Sequence, residues 1–374
     1  MIKKLTYNIW TFNREILFRK KIKKIAALCS FTDLDQKLIK KYKSLWKPLS
    51  KNPSVKYLKA YSSISRNESY TFVPENIYYN KIELRLNNKA YASAYSDKNF
   101  YEAYLPEKKE VFPKTFLRCI NGQFFNQSFE LESLADFWKN FVTRESSRVI
   151  KPSVETSGGA NFSIIETRKG KVFLDEKEVN LNQFEAILNV NYANGFVLQE
   201  KIRQHPWFAG FNPSSVNTVR MFTYRSVADN QIHILHAVIR FGKPGSLVDN
   251  QAAGGFSCGI NAEGKLNDFA VDKLGKRYES IEWINQNKGQ WVPGLEEMKS
   301  IARSIAPRYH YHRLLGFDFC YTDEDKVKLL EINCKNIETN FLQMNNGPLF
   351  GSFTDEIIEY CTKTKPTVVF DFQV

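Results

Sequence analysis

The stretch GFDFCYTDEDKVKLLEIN, Gly316 to Asn333, carries the densest structural information in this chain. Two alternating runs, GFDFCYT and VKLLEIN, flank the polar triplet Asp323-Glu324-Asp325, which predicts two antiparallel strands joined by a short turn. Side chains alternate across a strand, so Glu331 and Asn333 share one face, and the short connection lets Asp318 lie opposite them. The other face carries Phe317, Phe319, Leu330 and Ile332 and reads as buried. Two carboxylates and an amide oxygen form an all-oxygen set of the kind Mg²⁺ takes. By pattern alone, a polar outer face on a hairpin accounts for the same residues; the strongly apolar opposite face favours a site.

Upstream, the runs VNTVRMFTYRS and IHILHAVIRFG meet across a polar turn, Ala228 to Asn230, most simply as an antiparallel pair. Arg220 and Arg240 each sit inside one of these apolar runs. An unpaired buried charge is costly, so each needs a partner, either a structural ion pair or a bound anion. His233 and His236 lie three apart, are expected on opposite faces and read as structural. A Gly-rich loop, VDNQAAGGFSCG, follows. Before these strands come VIKPSV, FSIIET, a Lys169-Gly170 turn, KVFLD, a helical LNQFEAILNV and FVLQEKI, short strands around one helix that read as a lid-sized α+β module. In KPSVETSGGANF a lysine leaves a strand ahead of a small Gly loop, a form that brings backbone N–H groups near phosphate oxygens. A plain Gly-Gly hairpin turn is the competing account. At the end of FVLQEKI, Gln199, Glu200 and Lys201 offer donors and acceptors suited to an adenine edge, a slight signal by itself. KIELRL, Lys81 to Leu86, reads as a strand, and Leu131 to Glu145 as a helix with Leu131, Leu134, Trp138 and Phe141 on one face. Further helices are expected over Leu295 to Tyr309 and Asp355 to Thr364.

At 374 residues with 43% hydrophobic and 25% charged residues, the chain is globular and long enough for two or three domains, which excludes a disordered or fibrous protein. No window approaches the roughly 18 apolar residues that cross a bilayer, so a non-spanning, unprocessed chain is expected. The net charge of +13 is concentrated in residues 1–50, with 13 basic residues against 3 acidic ones. There RKKIKK, Arg19 to Lys24, interleaves with Ile16, Leu17, Ile22, Ile25 and Leu28, a spacing compatible with a helix carrying one apolar stripe. Three readings compete for it: a solvated helix packed on its own domain, a helix on an anionic membrane surface through residues 14–28, and a phosphate-contacting arm. Lys51 to Asn67 is polar and Ser-rich and reads as a linker. The six cysteines show no CxxC pair and read as reduced, mostly buried thiols of a cytosolic protein.

Taken in order, SDKNFYEAYL, VIKPSV…SGGA, VLQEKI, GFDF and LLEIN resemble the motifs of the ATP-grasp superfamily, and SVNTVRMFTYRS…HAVIRFG…LVDNQAAGG looks like its sugar-transfer-associated branch, found with polysaccharide-biosynthesis genes. The resemblance spans roughly residues 90–350. It implies an α+β fold, an antiparallel-sheet catalytic core plus a small α+β lid, behind a basic helical N-terminal region. The units expected are a 1–60 arm, a 61–147 α/β subdomain, a 148–205 lid and a 206–374 core. It implies phosphate contacts from Lys98 and Lys151, and a lid loop at Ser157, Gly158 and Gly159. Glu200, with the backbone of Lys201 and Ile202, would meet adenine; Asp318, Glu331 and Asn333 would hold one or two Mg²⁺. Arg220 falls near the transferred phosphate and would act in catalysis with Arg240, while Asp249 and Asn250 fall where substrate is met.

The implied activity is an ATP- and Mg²⁺-dependent ligase joining a carboxylate to an amine through an acyl phosphate, on small-molecule or sugar-linked substrates of surface-polysaccharide assembly. Two departures sit on the acceptor side: Gly316 replaces the arginine many such ligases carry two before the metal aspartate, and Lys335 and Asn336 replace a Pro-Gly turn. A phosphotransferase acting on a sugar hydroxyl is therefore a second reading. A basic, non-catalytic RNA- or membrane-binding protein is a third, against which all the phosphate and metal positions are chemically intact; nucleic acid is not the expected partner.

Overall fold

Period-2 apolar patterns build two seven-stranded sheets, in which every strand pair is antiparallel. The computed structural model describes residues 2–28, 34–154 and 161–369. The first sheet contains β1 (Thr115–Ile120), β2 (Gln123–Phe125), β3 (Ser146–Pro152), β4 (Ser163–Arg168), β5 (Lys171–Leu174), β6 (Lys177–Val179) and β7 (Phe196–Glu200), in the order β2-β1-β7-β3-β4-β5-β6. It draws β1 and β2 from ahead of residue 148. Helices Leu134–Phe141 and Leu181–Asn191 share its core, the latter closed by a capping box between Asn180 and Gln183.

The second sheet contains β8 (Thr218–Arg225), β9 (Ile232–Phe241), β10 (Phe256–Ile260), β11 (Leu266–Asp272), β12 (Arg277–Tyr278), β13 (Leu314–Tyr321) and β14 (Val327–Asn333), in the order β12-β11-β10-β9-β8-β13-β14. Its two faces feed separate cores. Met221, Ile239, Phe317 and Phe319 pack with helix Leu295–Ile305, whereas Phe222, Tyr224 and Leu314 pack with a helical N-terminal layer. That layer comprises α1 (Ile2–Leu28), α2 (Gln36–Trp46, N-capped by Asp35) and α3 (Val55–Ser65).

Several local expectations give way to packing. The Ser-rich stretch expected as a linker is α3, because Tyr57, Leu58, Ala60, Tyr61 and Ile64 are all buried in the core. KIELRL is helical, not a strand: Ile82, Leu84 and Leu86 are buried, and Glu83, also buried, accepts the Ile337 N–H at 3.1 Å. Leu131 stands outside its expected helix, which begins after the Ser133 cap, and is exposed. A register shift in the β8–β9 pair sets His233 opposite Tyr224 and His236 opposite Phe222, so the two histidines share a face rather than opposing one another. There His236 Nε2 lies 3.1 Å from the Pro348 and Leu349 carbonyls, and the His233 ring packs on Phe353. The apolar residues of α1 do not form one stripe: Ile22 and Ile25 are buried against the core, while Ile16 and Leu17 face solvent. Cys119, Cys258, Cys320, Cys334 and Cys361 are buried, and Cys29 lies outside the described residues. Among the described residues no helix is long and apolar enough to cross a membrane.

Candidate active-site cleft

The β13–β14 hairpin sets Asp318 opposite Glu331 and Gly316 opposite Asn333. Between them and the turn a register shift inserts one extra residue. Leu329 therefore takes the core position expected of Leu330, and Leu330 turns into the cleft beside Glu331. On the other side of β13, Arg220 of β8 lies directly opposite Asp318. Its guanidinium grips both carboxylate oxygens, Nε on Oδ1 and Nη2 on Oδ2 at 2.7 Å. A Cβ at Gly316 would meet Arg220 Cδ in ordinary contact at 3.5 Å and press more closely on Ile337 Cγ2 at 3.3 Å.

Arg240 of β9 closes the network. Its Nη1 is 3.5 Å from Asp318 Oδ2, and its Nη2 donates to Asp249 Oδ1 at 2.9 Å. The Thr218 hydroxyl donates to the other Asp249 oxygen. Arg240 Nε is buried and has no hydrogen-bond partner among the described residues. Asn250 accepts the Ala253 and Gly255 N–H groups through its carbonyl, which shapes the loop carrying Asp249. Lys98 donates to Glu331 Oε1 at 2.6 Å. It is fixed by a short turn capped by Asp97 and by its own N–H on the Ser153 carbonyl at 2.8 Å.

Burial alone would raise the Asp318 carboxyl, but the Arg220 and Arg240 guanidiniums hold it below the usual carboxylate value. Burial and Lys98 act on Glu331 in the same opposed way, and it too stays low. Lys151, half-buried on β3, has no such carboxylate on its ammonium among the described residues. Burial, and then the charge of Lys98, push it down to about 8. Glu200 ends β7, where its Oε1 accepts the Lys114 N–H at 2.9 Å and pairs with Lys328 at 3.2 Å. Lys201 reaches Glu166 at 3.7 Å, and Asn333 donates to the Gly316 carbonyl at 3.3 Å.

Lys98, Lys151, Glu200, Lys201, Ile202, Arg220, Arg240, Asp249, Asn250, Asp318, Glu331 and Asn333 all line one cleft of about 1020 Å³ with walls from both sheets. Ser157, Gly158 and Gly159 lie outside the described residues. Sequence reasoning passed over Thr218, which steadies Asp249, and Arg118, fully buried in β1. Arg118 pairs with Glu102 and donates to the Asn99 carbonyl at 3.0 Å, bracing the turn that carries Lys98. The signal for Arg118 was available: like Arg220 and Arg240, it stands mid-run in an apolar strand, TFLRCI.

Residues 78–357 match the family model of the sugar-transfer associated ATP-grasp proteins, most of the chain. The chain belongs to that family. The fold of this ATP-grasp protein is accordingly the expected α+β arrangement, and members of the ATP-grasp family are ATP-dependent ligases that form C–N bonds. No curated protein matches it. Similar solved structures include D-alanyl-alanine synthetase A of Vibrio cholerae O1 biovar eltor (11% identity, TM-score 0.40, covering 74% of this chain and 67% of that one). Others are the ATP-grasp ligase PsnB complexed with minimal precursor (14%, 0.38, 73% and 64%) and the biotin carboxylase domain of Hydrogenobacter thermophilus 2-oxoglutarate carboxylase with MgADP and bicarbonate (10%, 0.40, 72% and 46%). This ATP-grasp protein thus spans less than half of the last of these.

The donor set fits a hard divalent cation. Asp318 and Glu331 are both kept ionised, Asn333 adds an amide oxygen, and Mg²⁺ needs few protein ligands when nucleotide phosphates complete its shell. Among the described residues no group of three His, Cys, Asp or Glu side chains is placed to hold a metal.

Proposed function

We propose that the cleft is the active site of an ATP- and Mg²⁺-dependent carboxylate–amine ligase. One observation carries this reading: acidic and basic residues spread from Lys98 to Asn333 converge on one cleft, with Asp318, Glu331 and Asn333 on adjacent strands in register. ATP would supply the γ-phosphoryl group that turns a carboxylate into an acyl phosphate, and Mg²⁺ would spread the charge that builds during transfer. Asp318, Glu331 and Asn333 would hold the cation, and Lys98 and Lys151 the phosphates. Glu200 with the backbone of Lys201 and Ile202 would orient the base. Arg220 and Arg240 would offset charge at the transferring group. Asp249 and Asn250 would face the substrate. The family's sugar-transfer association supports a sugar-linked substrate. That substrate would be an acid or amino acid of surface-polysaccharide assembly, handled in a reducing, cytoplasmic setting.

The test is turnover of purified protein with ATP, Mg²⁺ and panels of carboxylates and amines, read as phosphate release and product mass. ADP and free phosphate formed only when both a carboxylate and an amine are present support the ligase. Phosphate retained on a hydroxyl-bearing product would establish the phosphotransferase reading instead.

A further inference from the structure

Helix α1 has two faces with different surroundings. On the inner face Phe18 stacks on Tyr79, Ile22 and Ile25 are buried, and Lys21 bridges Glu75 at 2.6 Å and Glu338 at 3.4 Å. The outer face is of another kind. At 100° per residue, positions 9, 12, 16 and 17 point to solvent together with 20, 23 and 24. The first four are Ile9, Phe12, Ile16 and Leu17, with Phe12 65% and Leu17 63% exposed. Beyond them come the exposed cations Arg19, Lys20, Lys23 and Lys24. The one acid of α1, Glu15, holds Asn76 at 3.0 Å and also pairs with Arg19 at 3.4 Å, which leaves Lys20, Lys23 and Lys24 as the cations facing out.

We propose that this outer face docks α1 on an anionic lipid surface, lying along it rather than crossing it. Single exposed apolar residues are ordinary, but four large ones grouped on one side of one helix mark an interaction surface. A lipid interface satisfies both halves of the face at once: the apolar side chains enter the headgroup boundary and the cations pair with anionic headgroups. A second copy would set cations against cations, or the apolar half against the charged half. A nucleic acid would take the cations but leave Phe12 and Leu17 in water. Lys21, on the inner face, holds Glu338, which lines the cleft, so docking would leave that end of the cleft behind α1, roughly a helix diameter from the lipid surface. The proposal does not depend on the ligase reading.

Sedimentation of the full chain with vesicles tests it, comparing pure phosphatidylcholine with mixtures containing phosphatidylglycerol. The protein should pellet with the anionic vesicles only, and added salt should release it. The double variant Phe12→Glu/Leu17→Glu and the triple variant Lys20→Glu/Lys23→Glu/Lys24→Glu should each weaken binding by about tenfold or more. Both should keep the wild-type melting temperature, because the altered side chains are exposed. Failure to pellet with anionic vesicles overturns the proposal, as does vesicle binding that neither variant weakens. RNA binding that survives Phe12→Glu/Leu17→Glu, without vesicle binding, would reassign the face to nucleic acid. Self-association abolished by the same variant, again without vesicle binding, would reassign it to a second copy.

Discussion

Asp318 is ion-paired with two arginines, whereas among the described residues Glu331 is ion-paired with Lys98, with a side chain 22% exposed. Removing a charge from each should therefore have different costs. Asp318→Asn leaves Arg220 and Arg240 under-compensated in a buried setting and should destabilise the fold by about 3 kcal/mol, read from denaturant midpoints. Glu331→Gln should cost about 1 kcal/mol. A stability loss for Asp318→Asn no larger than that for Glu331→Gln would contradict the network drawn here. Lys151 makes a pH-dependent prediction. Its ammonium is held down to about 8 by burial and by Lys98, so above that pH it is largely neutral in the free protein. A phosphate bound beside it favours the charged form, so nucleotide binding should take up a proton above about pH 8 and weaken as pH rises further. Calorimetry in buffers of different ionisation heat measures the uptake, and Lys151→Met should abolish it; equal affinity well below and well above pH 8 would contradict the role. At this scale the sequence was informative, because a carboxylate or arginine within an apolar strand run stands out against its neighbours. What it lacked was who pairs with whom: the Arg220–Asp318 grip depends on β8 lying beside β13, a contact between distant parts of the chain.

Strand pairings and loop shapes decide where those residues point. The loop from Gly242 to Gly255 carries Asp249 to Thr218 and Arg240, and it turns back tightly on itself. A Cβ at Gly255 would stand 2.7 Å from the Asp249 carbonyl and 2.8 Å from that of Phe241. Gly255→Ala should thus cost about 1–3 kcal/mol and displace Asp249, raising the KM for the substrate other than ATP more than that for ATP. An unchanged midpoint and unchanged KM values would show that the loop accommodates the methyl group. Elements with clean periodicity were legible: the β8–β9 and β13–β14 hairpins and the helices at Leu181–Asn191, Leu295–Ile305 and Thr354–Lys363 stand close to where the pattern puts them. The errors have physical causes. Strand periodicity cannot announce an inserted residue, so the bulges that turn Leu330 into the cleft and bring His233 and His236 onto one face were invisible. KIELRL alternates like a strand, yet its neighbours bury it as a helix. In α3 the serines pack inward with the tyrosines, Ser62 buried and Ser63 and Ser65 half-buried, so serine content misread it as a linker.

For the basic N-terminus the sequence left a helix packed on its own domain, a membrane-surface helix and a phosphate-contacting arm all open; its helices form part of the core. Removing residues 1–28 would uncover the partners of Ile22 and Ile25 and leave Glu75, 1% exposed, without the Lys21 ammonium that offsets its burial. The truncated chain should lose about 3 kcal/mol or more and melt several degrees lower. A truncation that melts like the full chain would make α1 a detachable arm after all. The architecture of the molecule was legible as ordered motifs along the chain; the way the N-terminal layer closes over the second sheet was not, since charge counts do not say which face of a helix is buried. The central claim is that the two sheets together build a magnesium-dependent nucleotide site. Isothermal titration with a non-hydrolysable ATP analogue, with and without Mg²⁺, on the wild-type chain and on Glu331→Gln, tests it most directly. The account predicts binding that requires Mg²⁺ and falls at least about tenfold in a variant whose melting is nearly unchanged, a loss of about 1.4 kcal/mol. No binding under either condition, or binding indifferent to both Mg²⁺ and Glu331, would contradict it.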